Sequence, residues 1–165
     1  MRVKALSIVA PSATRIALGL KTLEVRSWAP QLKADDDLLL VENNRYLANG
    51  ESDDNGTAVA LVKVKRVRQY LPEDVSASCA SIWVHGSFSW ELSDVRPLSY
   101  SLPVRAERGI YSVTLDEGHL QFQPFKKTHP TEAFFRERFF EIQKSNPLLE
   151  ELLARSEDLR IPNWA

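Results

Sequence analysis

The chain has 165 residues, with 21 basic and 22 acidic side chains and a formal net charge of −1; that length suits one domain with a proper core and is too short for two large ones. The charge balance excludes a protein that grips long nucleic acids by bulk positive charge, because proteins that hold many phosphates without a local structural device are clearly basic. The single cysteine, Cys79, excludes an intramolecular disulfide and a cysteine-rich zinc site.

The N-terminus, Met1-Arg2-Val3-Lys4, has no apolar run of the kind a signal peptide needs, and no window approaches the roughly eighteen apolar residues of a membrane span. The expectation is a cytoplasmic protein with no membrane partner. Residues 3–9 alternate with high β-propensity and read as the first strand. Pro11 sits where a helix can start, Gly19 supplies the stop, and the spacing predicts a helix over 12–18. Its apolar side is Ala13, Ile16, Ala17 and Leu20, which leaves Ser12 and Arg15 nearer a rim.

A strand over 23–28 follows directly. Its period of two sends Glu24, Arg26 and Trp28 to one face and Leu23, Val25 and Ser27 to the other, with Lys21 in the turn just before. An ammonium, a carboxylate and a guanidinium then converge beside a helix end, as a polar binding or catalytic cleft requires. The alternative is a solvated face with one exposed ion pair.

Residues 37–42 form a short apolar run, expected as a strand buried on both faces. Asn43, Asn44 and Arg45 follow and read either as turn chemistry or as the lining of a cleft. Residues 48–56 are a loop by composition, and 57–67 make the longest strand, with Ala58, Ala60, Val62 and Val64 on one side. On that strand Lys63 and Lys65 share one face and Arg66 and Arg68 the other, so the positive charge is not one patch. Pro72-Glu73-Asp74 opens a helix, and 75–81 reads as a short helix or ordered loop that buries or half-buries Cys79. His85 lies six residues beyond Cys79, a spacing that does not by itself make a catalytic pair. Trp83, Phe88 and Trp90 are assigned to the core, whereas Trp28, on the charged face, either stacks a base or packs as a lid.

Beyond Pro130, Phe135, Phe139 and Ile142 recur at helical spacing, and Asn146-Pro147 ends one helix and starts another that carries Leu148, Leu149, Leu152 and Leu153. This helical hairpin packs its apolar face onto the preceding domain or uses it to form a homodimer. His119 and His129 show no metal-ligand spacing, and no Gly-rich phosphate loop appears, so neither a metal nor a cofactor is expected.

The order of apolar strand, Pro-initiated helix and Gly19-x-Lys21-x-x-Glu24-x-Arg26 resembles the opening of the ASCH domain family. Phe88-Ser89-Trp90-Glu91-Leu92-Ser93-Asp94-Val95-Arg96-Pro97-Leu98, with a short strand near 109–113 after it, resembles a late family strand. The resemblance implies an α+β fold: a PUA-like mixed β-barrel over 1–115 with a helix after the first strand, followed here by a helical extension over 119–165. It also implies a cleft in which Lys21 and Glu24 are the catalytic candidates and Arg26, Trp28, Ser12, Asn43 and Arg45 contact the ligand.

Three activities follow from that resemblance. The first is recognition of RNA, a nucleotide or a modified nucleoside, with Lys21 and Arg26 on phosphate or base edges and Glu24 accepting from an exocyclic amine. The second is hydrolysis of N4-acetylcytidine, for which the family uses a lysine, a threonine nucleophile and a glutamate. Lys21 matches that lysine, but the threonine position holds Glu24 here, Thr22 belongs on the other strand face, and Glu73 and Glu91 are unsupported choices for the distal glutamate. The third is metal-independent RNA cleavage, with Glu24, Lys21 and Arg26 as base, acid and charge stabiliser. Binding is placed first and an enzyme second.

Overall fold

The computed structural model describes residues 1–33 and 35–127. The expected helical hairpin beyond Pro130, with its packing or dimer role, lies outside the described residues. Within them the chain runs β1 (Arg2–Val9), α1 (Ser12–Ala17), β2 (Leu23–Arg26), β3 (Asp37–Asn43), β4 (Ser52–Asp53), β5 (Thr57–Gln69), β6 (Phe88–Pro103), β7 (Ala106–Glu107) and β8 (Ile110–Thr114). The architecture is mostly β-sheet with little helix. No described helix is long and apolar enough to cross a membrane.

Six strands form one mixed sheet in the order β2-β6-β5-β3-β1-β8, and β4 and β7 make a separate two-stranded ribbon. β1 and β3 are parallel, joined through α1 and β2, while the other pairs in the large sheet are antiparallel. The period of two in β1 divides its side chains between two cores. Val3 and Ala5 pack with Leu39, Val41, Ala58 and Leu61; Leu6 and Ile8 pack with Leu38, Leu40, Val62 and Trp90. β3 feeds both cores, with Leu38, Leu39, Leu40 and Val41 all at 0–1% exposure, as its unbroken apolar run predicts. At about 1.5–3 kcal/mol per fully buried aliphatic side chain, this central strand contributes a large share of the fold's stability.

β5 is buried on more than the side that carries Ala58, Ala60, Val62 and Val64. Val59 and Leu61 are buried along with Ala58, Ala60, Val62 and Val64. β5 lies between β3 and β6, where both faces are covered, and its register shifts at three places against β6, so strict alternation gives way to bulges. β6 is longer than the sequence suggested because it serves two partners: its start pairs with β2 and most of its length with β5. After β8 the chain returns to this sheet, where Ser99 N–H donates to Gln121 O at 2.8 Å and Gln123 N–H to Pro97 O at 3.0 Å.

Other expectations narrow or change. Of the short helix or ordered loop expected over 75–81, the loop is found: a 3-10 turn at Pro72–Asp74 is followed by irregular turns. Cys79 is exposed, with φ +52°. Trp83 is 39% exposed and its indole N–H donates to Tyr70 O at 2.9 Å, so it lies on the surface rather than in the core. Trp90 is fully buried and Phe88 is half-buried against the same core.

The sheet curls on itself. β2 and β1 are separated in the sheet order by β6, β5 and β3, yet Arg26 Nη2 on β2 donates to Ser7 O on β1 at 3.0 Å. A flat sheet could not make that contact, since neighbouring strands are about 4.8 Å apart. The seam so formed is where the cavity opens.

Candidate functional site

α1 sets up the entrance to the charged strand. Its Thr14 backbone N–H and hydroxyl donate to the two carboxylate oxygens of Glu42 at 2.8 and 2.9 Å, which ties the helix to the end of β3. Pro11, joined to Ala10 by a cis peptide bond, caps the other side of this turn. The helix closes at Gly19, whose φ of +73° is the left-handed conformation that glycine adopts without steric cost. Leu20 and Lys21 N–H groups then donate back to Arg15 O at 2.9 and 3.2 Å. Lys21 is thereby delivered to β2 with its side chain turned into the seam.

Lys21 Nζ lies 2.9 Å from Glu24 Oε2, and Arg26 Nε lies 2.8 Å from Glu24 Oε1. Lys21 and Glu24 are 8% and 3% exposed. Neither contact has the direction of a good hydrogen bond: Glu24 Oε2 and Arg26 Nε are buried without a properly aligned partner. The three groups are therefore charges in contact, and Glu24 Oε2 keeps lone pairs for another donor. One carboxylate between two cations leaves the cluster with an excess of one positive charge.

The cavity beside this cluster has a volume of about 630 Å³, well inside the range of small-molecule sites. It is lined by Ser12, Lys21, Glu24, Arg26, Trp28, Asn43 and Arg45, whereas Asn44, the third residue of the expected turn or lining, is not part of it. Trp28 meets Trp90 edge-on with ring centroids 4.9 Å apart, and its carbonyl accepts the Trp90 indole N–H at 3.3 Å. So Trp28 both packs on the core and offers a wall to the cavity. Asn43 is buried and donates to Arg45 O, which combines the turn role with the lining role. Arg45 Nη1 pairs with Glu51 Oε2 at 2.9 Å, and the same oxygen accepts Ala48 N–H at 2.9 Å. These bonds fold residues 45–51 into a lip and hold the Glu51 carboxyl below its usual pKa.

Sequence reasoning missed Ser7, Tyr46, Glu51, Glu107 and Arg108, which also line the cavity. Ser7 left a faint signal as a lone hydroxyl in an apolar strand. Glu107 ends the short strand β7, and the others come from loops. Thr22, Glu73 and Glu91 do not line it, so neither the threonine nor the distal glutamate of the amidohydrolase pattern has a counterpart at those positions. Glu91 pairs instead with Arg66 at 2.6 Å and Arg68 at 2.9 Å. Arg68 also holds Asp74 through two bonds of 2.6 and 2.8 Å, and that guanidinium pulls the Asp74 carboxyl down to about 2. Among the described residues no group of His, Cys, Asp and Glu side chains is arranged to hold a metal ion.

No curated protein matches this chain. Among solved structures, two variants of the ZmASCH protein from Zymomonas mobilis resemble it. One is 12% identical with a TM-score of 0.46 and covers 61% of this chain and 75% of that one. The other is 13% identical with a TM-score of 0.42 and covers 61% of this chain and 72% of that one. The ASCH domain matches residues 6–101, more than half of the sequence, from within β1 through most of β6; this chain belongs to the ASCH domain family.

Proposed function

We propose that this protein recognises RNA, or a nucleotide or modified nucleoside, in the seam between β2 and β1. Membership in the ASCH family points to RNA or nucleotide chemistry. The observation that carries the reading is that Lys21, Glu24, Arg26 and Trp28 all line one cavity of about 630 Å³. Together they supply what a splayed-out nucleotide needs: cations for phosphate or base oxygens, a carboxylate that accepts from an exocyclic amine, and an aromatic wall. A net charge of −1 agrees with a short, cleft-bound ligand better than with a long duplex.

Hydrolysis of the same ligands is the second reading, favoured by the spare lone pairs of Glu24 Oε2 next to the Lys21 ammonium. There Glu24 would take a proton from water or a 2′-hydroxyl, and Lys21 and Arg26 would balance the charge that develops on the attacked group.

Fluorescence anisotropy of a short single-stranded RNA across salt concentrations tests the first reading. Arg26→Ala is expected to weaken binding and to flatten the salt dependence by about 0.7 for each phosphate the variant no longer neutralises. Glu24→Gln divides binding from catalysis, because binding should survive or tighten while any turnover stops. Equal affinity and equal salt slope in wild type and Arg26→Ala would refute the assignment.

A further inference from the structure

Ser7 stands on β1 at the cavity wall, and its hydroxyl is already fixed by two neighbours. Glu107 N–H donates to Ser7 Oγ at 3.2 Å, and the Tyr111 hydroxyl lies 2.8 Å from the same oxygen. Of these two hydroxyls the phenol is the stronger acid and the better donor. It is also partly buried, which raises its pKa and keeps it protonated, and Glu107 N–H faces its oxygen as well. With Tyr111 donating, both lone pairs of Ser7 Oγ are engaged. Its own proton then has no acceptor among the described residues and is free for a ligand.

The groups on either side define what that ligand atom is. Arg26 Nη2 donates to Ser7 O at 3.0 Å, so the guanidinium lies against the Ser7 backbone, while its Nε lies 2.8 Å from Glu24. Ser7, Arg26 and Glu24 line the same cavity, so a hydroxyl donor, a guanidinium and a carboxylate acceptor face one ligand. A phosphate placed there would satisfy only the cations of this wall and leave the Glu24 acceptor unused. A neutral edge that carries a hydrogen-bond donor next to an acceptor fits both halves. RNA offers that chemistry in two places, the Watson–Crick edge of a base and the ribose 2′-hydroxyl.

We propose that Ser7 is a specificity-determining residue, which donates to the acceptor atom of such an edge while Glu24 accepts from its donor. This rests on the cavity being a site for RNA or its components. Tyr111 is a positioning residue that orients the Ser7 proton.

The test compares hexamers of oligocytidylate, oligouridylate and oligodeoxycytidylate on the full-length protein and its Ser7→Ala and Ser7→Thr variants. Wild type is expected to prefer one base over the other or RNA over DNA. Ser7→Ala should reduce whichever preference exists by roughly 3- to 10-fold, the usual range for one hydrogen bond, with the salt slope unchanged. Ser7→Thr keeps the hydroxyl and should restore the preference, which a purely structural role for Ser7 would not predict. Loss of the cytidine-over-uridine preference assigns the contact to the base edge, and loss of the RNA-over-DNA preference assigns it to the 2′-hydroxyl. Preferences unchanged in Ser7→Ala, or no preference in wild type, would overturn the proposal while binding that depends on Arg26 still stood. Absence of binding by wild type would overturn the underlying reading and this one together.

Discussion

Lys21 Nζ and Glu24 Oε2 are 2.9 Å apart, with side chains only 9% and 5% exposed. Taking two such charges out of water costs several kcal/mol per ion, and a contact with poor hydrogen-bond direction recovers that incompletely. A pair kept under those terms is weak evidence for stability and better evidence for a site. Arg26 adds a second cation to the same carboxylate at 2.8 Å, so the three side chains respond to mutation as a unit.

Glu24→Ala leaves Lys21 and Arg26 facing each other with no counter-charge. It is expected to cost about 3 kcal/mol in urea denaturation, the range for breaking a buried pair. Lys21→Met should cost less than half of that, since Arg26 still neutralises Glu24. Equal and small losses for the two variants would mean that the cluster is hydrated.

The Arg68–Asp74 pair predicts a dependence on acid. Asp74 is held down to about 2 chiefly by the Arg68 guanidinium, helped by the Leu71 N–H and the Ser89 hydroxyl. A carboxyl whose folded pKa lies below its unfolded value of about 3.9 stabilises the fold above that value. The contribution fades as pH falls from about 4 to about 2. Melting curves should therefore show Asp74→Asn well below wild type at pH 6 and the two converging near pH 2. A gap that persists to pH 2 would assign the effect to packing instead.

Gly19 and Gly50 form a matched pair of probes. Both have positive φ, +73° and +80°, but an added Cβ at Gly19 would lie 3.0 Å from the Phe125 ring, whereas at Gly50 it meets nothing. Alanine at either position costs about 1–2 kcal/mol for left-handed backbone. Gly19→Ala should cost more by the strain against Phe125 and should also shift Lys21. Equal losses, measured by thermal denaturation, would show that residue 125 yields freely.

Trp90→Phe removes the indole donor to Trp28 O and reduces the edge contact made at 4.9 Å. An expected loss of about 1–3 kcal/mol would be accompanied by weaker ligand binding, since Trp28 lines the cavity. Unchanged affinity in a folded Trp90→Phe protein would remove Trp28 from the binding surface.

What the sequence disclosed follows from interaction range. The alternation of Leu23, Glu24, Val25 and Arg26 is local, and it pointed to Glu24 and Arg26 beside Lys21, although Val25 and Ser27, expected on the opposite face, line the same cavity. The run from Leu38 to Val41 likewise announced a strand buried on both sides. Glu42 was silent because its partner, Thr14, is 28 residues away. Ser7 gained meaning only through Tyr111 and Arg26, which the curl of the sheet brings to it. The burial of Val59 and Leu61 on β5 was not legible, because a central strand with bulges is buried without alternating. Trp83 misled because its indole found a backbone carbonyl at the surface, and an aromatic residue type alone does not distinguish that from a core position.

The most direct test of the central claim is a ¹⁵N NMR titration of the protein with a short single-stranded RNA, following backbone amides together with the Arg26 Nε–H and Trp28 indole signals. A ligand seated in the seam is expected to concentrate its shifts at Ser7, Lys21, Glu24, Arg26, Trp28 and Asn43, and Arg26→Ala should reduce them at equal RNA concentration. Shifts confined to another surface, or none at a large excess of RNA, would contradict it.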